Sequence, residues 1–271
     1  MFASGNPALS PEKFGSNPYG VNYADLDRRE AKLRQMTLQG TINNTALSLG
    51  VVVVTAGLTW TMLSGGLWIA ALVIGALAGL VLSLIIAMKP TTAPFLTLPY
   101  AAAEGAFVGG LSAIIATRVG AIGASASGAP PIADAAIIVQ AVLLTFGIFA
   151  ATLLAYSFRV IRASPALMKF VSVGSIGMLI FIGLSWATSM LGAPGLFAGA
   201  FTGWGGIAFF GLMLVIATLS LVGDFAIIEQ GVQSGAPKHM EWYGAFALTL
   251  SLVWIYTTIL RLLAIIRELQ R

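Results

Sequence analysis

Residues 66–88 read GLWIAALVIGALAGLVLSLIIAM: one hydroxyl, Ser83, and no charge. A helix crosses the hydrocarbon core of a bilayer with about 20 mainly apolar residues, so this stretch alone predicts a membrane span. Working outward, six further stretches have the same character, at approximately 42–63, 98–119, 135–158, 168–190, 202–228 and 243–265. The bulk numbers agree. Of 271 residues, 58% are hydrophobic and only 9% charged, whereas soluble domains carry about 25% charged residues. The expected fold is all-α and integral to the membrane, with seven transmembrane helices in residues 41–271 behind a 1–40 cytoplasmic tail.

The first forty residues hold no apolar core of the kind a cleavable signal peptide needs, so the first crossing is expected to remain in the mature protein. Residues 1–22 are rich in Pro, Gly, Ser and Asn. Residues 23–36 (YADLDRREAKLRQM) suggest a short amphipathic helix with Leu26, Leu33 and Met36 as its apolar stripe. Its plain reading is a solvated or interfacial helix feeding the first crossing, and its sharper reading is a docking arm for other membrane subunits. Lys13, Arg28, Arg29, Lys32, Arg34, Lys89, Arg159, Arg162, Lys169 and Lys238 fall on one side of a seven-span arrangement. Arg118, Arg261, Arg267 and Arg271 fall on the other. Lysine and arginine concentrate in cytoplasmic loops, so the N-terminus is expected in the cytoplasm and the C-terminus outside. The net charge of +4 reflects that asymmetry; no basic patch with interleaved aromatics points to nucleic acid.

Catalytic equipment is sparse. There is no Cys, and His239 is the one histidine, which removes thiolate metal sites, iron–sulfur clusters and Cys nucleophiles. No P-loop or nucleophile elbow occurs, and the seventh span has no lysine for a retinal Schiff base. Neither an enzyme nor a cofactor is expected. Ionisable groups inside a membrane are costly and default to functional hypotheses. Glu104 lies about two turns into the third span. Asp224 stands around 10 Å before a helix end expected at Gly231. Glu229 and Glu241 are expected in the same half of the membrane, with Lys89 and Lys238 at that level. Such a group of carboxylates could line a path for a hard cation, which oxygen ligands suit. No firm metal site follows, beyond a transient Ca2+ contact at Asp224. Gly75 with Gly79, Gly105 with Gly109, and Gly195, Gly199 and Gly203 form small-residue stripes. These are expected to knit the bundle by close helix approach.

Leu221-Val-Gly-Asp224-Phe, Ala247-Leu-Thr-Leu-Ser251-Leu-Val-Trp-Ile-Tyr256, Ile259-Leu-Arg261-Leu-Leu263 and Glu104-Gly-Ala-Phe107-Val-Gly-Gly-Leu-Ser112 resemble the Bax inhibitor-1 family across roughly residues 40–266. The longer front end resembles the actinobacterial-type branch, which implies a bacterial plasma membrane. The resemblance implies a central last helix wrapped by two groups of three. It also implies a calcium leak channel whose pH sensor pairs one aspartate on the sixth helix with one on the seventh, near a basic residue ending the second. Asp224 matches the first aspartate and Lys89 the basic residue, but Ser251 stands where the second aspartate belongs. Two adjacent carboxylates share a proton at low pH and repel when both ionise. A serine cannot repel, so gating by pH is expected to be weak or absent. The other expectation is a non-catalytic accessory subunit or stabiliser of a larger membrane assembly, such as a respiratory one.

Overall fold

The computed structural model describes residues 35–127, 134–192 and 201–270. These form seven long helices: α1 (Leu38–Met62), α2 (Gly66–Met88), α3 (Ala93–Ser127), α4 (Ala135–Ser157), α5 (Pro165–Met190), α6 (Gly203–Gln233) and α7 (Met240–Leu269). All seven are long and apolar enough to cross a membrane. The ends follow local chemistry. Thr37 caps α1 by accepting the Gly40 amide at 3.0 Å, and Ser164 caps α5 ahead of Pro165. Proline suits that first helical position because its missing N–H would have had no partner there.

One expected terminus moves. α6 does not stop at Gly231; it continues to Gln233, and the left-handed residue that ends it is Gly235 (φ +68°). A glycine takes that conformation without a Cβ penalty. Asp224 therefore sits nine residues before the end of its helix, about 14 Å at 1.5 Å per residue, deeper than expected.

α7 is the most enclosed helix. In its apolar window 61% of residues are buried, against 17% for α2. It packs against α1, α3, α4 and α6, while α2 rests mainly on α3 and α5 on α6. The core joins Leu248, Ile255, Ile259 and Leu260 of α7 to Val52, Leu111, Ile137 and Leu221 of its neighbours. Direct packing on α7 thus involves four helices, with α2 and α5 as outer members.

Glycines set the closest approaches. On α3, Gly105 lies against the Val52 carbonyl of α1, Gly109 against the Ala56 carbonyl, and Gly110 against the Trp68 carbonyl of α2. Gly75 of α2 meets the Phe107 backbone. These stripes work inside the bundle, as small residues do where helices meet in lipid. A side chain added at Gly203 would meet open space; Gly195 and Gly199 lie outside the described residues.

Residues 1–34 also lie outside them. Where the chain comes into view it is extended rather than helical: Gln35 bridges Pro237 in antiparallel fashion, and the Met36 amide donates to the Ala236 carbonyl at 2.7 Å. Met36 is buried in the core.

Candidate functional site

The sequence-selected acids lie in the half of the bundle nearer Lys89, each held differently. Asp224 projects from α6 between buried neighbours Gly223 and Phe225. Ser251, buried on α7, donates its hydroxyl to Asp224 Oδ2 at 2.5 Å. The residue facing the aspartate is thus a serine, and the contact is a hydrogen bond between α6 and the central helix. A hydrogen bond to an ionised group is stronger than a neutral one.

Glu241 has another occupation. It lies in the first turn of α7, is buried, and accepts both the Thr37 amide at 2.9 Å and the Thr37 hydroxyl at 2.7 Å through Oε1. Gly40 faces the same carboxyl, with no room for a side chain between them. A carboxylate here complements the partial positive charge at the N-termini of both α1 and α7. The expected member of a cation path is engaged as the clamp that fastens the entry of α1.

Glu229, exposed on α6, accepts a short hydrogen bond from the Tyr156 hydroxyl of α4 and a second from the Gln233 amide. Glu104 is half-buried between α2 and α3, where the bare backbone of Gly79 makes room for its carboxyl. One turn earlier on α3, Tyr100 is fully buried beside Glu104. Lys89 is exposed at the end of α2 and makes no ion pair with Asp224 among the described residues. The four acids therefore do not converge on one centre. Among the described residues no three His, Asp or Glu side chains gather as a metal cage requires.

Three cross-links escaped the sequence reading. Tyr256 of α7 and Ser112 of α3 share a buried hydrogen bond of 2.8 Å. Arg267 of α7 pairs with Asp134 at 3.0 Å and bonds Gln140 of α4 at 3.2 Å. Thr97 of α3 reaches the Trp242 carbonyl of α7 at 3.3 Å. The alternation of Ser251 and Tyr256 within an apolar helix was the available signal for the first; nothing local marks a partner more than a hundred residues away.

No curated protein and no solved structure matches the chain. A family pattern does: that described as Bax inhibitor 1 like matches residues 7–268, reaching further into the N-terminal tail than the resemblance noted above. With nearly the whole length matched and seven membrane-length helices present, this chain belongs to the Bax inhibitor 1 like family.

Proposed function

We propose that the protein is a cation leak channel of this family, seen closed, in which the Asp224–Ser251 contact latches α6 to the central helix. The observation that carries the reading is the 2.5 Å hydrogen bond between the matched aspartate and the serine replacing its partner. A latch made of two carboxylates changes sign with protonation: attractive when one proton is shared, repulsive when both ionise. Serine keeps the attraction in either state of Asp224, since a hydroxyl can donate to a carboxylate or accept from a carboxylic acid. The pathway therefore responds weakly to pH. Calcium flux into liposomes bearing the purified protein tests this. The expected flux changes by less than about threefold between roughly pH 6 and 8. A steep response abolished by Asp224→Asn would overturn the reading.

One observation favours the second reading, an accessory subunit without transport. Asp224 is satisfied by Ser251 and lines neither part of the cleft between α1 and α4. That reading requires no flux above empty liposomes, together with stoichiometric co-purification of a membrane complex in mild detergent. On either reading the ten-to-four asymmetry of basic residues favours a cytoplasmic N-terminus.

A further inference from the structure

A seam runs along the bundle between α1 and α4. These two helices share no substantial packing; α6 and α7 form the floor of the wider part between them, and α3 and α7 that of the narrower. Toward the end that carries Lys89 the seam opens into a cleft of about 980 Å3, and its continuation toward the other end holds about 360 Å3. Leu49 lines both parts. Ile42, Phe149 and Leu153 wall the wider part.

The mouth is different in character. α4 ends at Ser157, and the chain folds back so that the amides of Val160 and Ile161 both donate to the Ala155 carbonyl, at 2.9 and 3.3 Å. Arg159 takes a left-handed conformation (φ +58°) within that turn. Non-glycine residues seldom adopt it, and where they do the surroundings enforce it. The turn brings Arg159 and Arg162 to the rim of the cleft, both exposed and neither in an ion pair among the described residues. The one acid on the rim, Glu229, is engaged by Tyr156 and Gln233. Two unpaired guanidinium groups thus stand at the membrane surface above an apolar trough.

We propose that this cleft binds one anionic phospholipid, with its phosphate on Arg159 and Arg162 and its acyl chains along Phe149, Leu153 and Ile42 toward Leu49. Guanidinium offers phosphate a planar pair of donors, and juxtamembrane basic residues attract anionic leaflets. A zwitterionic lipid fits the trough equally but cancels its own phosphate charge. A free phosphate matches the arginines but gains nothing from the apolar walls. The inference does not depend on transport; a lipid seated here is as compatible with an accessory subunit as with a channel.

Native mass spectrometry of the full chain in mild detergent tests it, with equal amounts of dioleoyl phosphatidylglycerol and dioleoyl phosphatidylcholine offered and inorganic phosphate as a competitor. The expected result is a single phosphatidylglycerol retained about tenfold over phosphatidylcholine, with inorganic phosphate failing to displace it. The double substitution Arg159→Gln, Arg162→Gln brings the two lipids to parity, whereas Lys169→Gln on exposed α5 leaves the preference intact. Ala46→Trp, which fills the trough from α1, lowers retention of both lipids. Parity in the unmodified protein, a preference that survives the double substitution, or displacement by inorganic phosphate would each overturn the proposal.

Discussion

At the scale of single residues, position 251 decides how the central helix is latched. Ser251→Asp recreates two carboxylates at a contact that now measures 2.5 Å. The substitution is expected to give calcium flux a steep pH dependence that the unmodified protein lacks, because ionisation of both groups then drives α6 and α7 apart. A flat profile in this variant would remove the latch from the gating mechanism. Ser251→Ala leaves Asp224 without its donor, and an unsatisfied polar group at such a position costs about 1–3 kcal/mol. A lower thermal midpoint in detergent checks that expectation. Glu241 makes a separate prediction. Glu241→Ala removes the acceptor for both Thr37 donors and leaves a void beside Gly40. It is expected to destabilise the protein by about 2–3 kcal/mol and to free residues 35–37 to proteolysis. Calcium flux in a variant that still folds would separate this anchoring role from a place in the cation path. Asp224 could be selected from the sequence because a deep acid is conspicuous among apolar neighbours. The role of Glu241 could not, since its partner Thr37 lies 204 residues away.

At the scale of helices, hydropathy made the spans legible because crossing a bilayer constrains each segment independently of the others. Their ends were less legible. Sequence pointed to Gly231 as the stop of α6, but the glycine that takes a positive φ is Gly235. The small-residue stripes announced close packing without saying against what. Gly105 faces α1 with the Val52 carbonyl 2.6 Å from where a Cβ would stand. Real Cβ atoms do not approach a backbone oxygen so closely, and neither helix can yield locally. Gly105→Ala is expected to cost about 1–3 kcal/mol through overpacking, whereas Gly57→Ala, which meets open space on α1, is expected to be neutral. Thermal unfolding of the two variants in one detergent compares them directly. Equal midpoints would mean that the α1–α3 contact is looser than its backbone geometry implies.

At the scale of the whole molecule, the seven helices are divided by what touches α7. The inner set encloses the polar links Asp224–Ser251 and Ser112–Tyr256, and the outer pair, α2 and α5, turns large apolar faces outward. With seven crossings the two ends of the chain must emerge on opposite sides, so one orientation fixes every loop. The basic residues on the Lys89 side predict that side to be cytoplasmic. The protein has no cysteine, so single introduced thiols report sidedness without background. Ser64 is exposed in the turn between α1 and α2, and Thr91 is exposed in the short 3-10 turn Pro90–Thr92 at the opposite end of α2. Ser64→Cys is expected to react with a membrane-impermeant maleimide on intact cells, and Thr91→Cys only after the membrane is opened. The reverse pattern would place Arg159, Arg162 and the wider cleft at the outer leaflet, and Asp224 would then lie nearer the external solution than the cytoplasm.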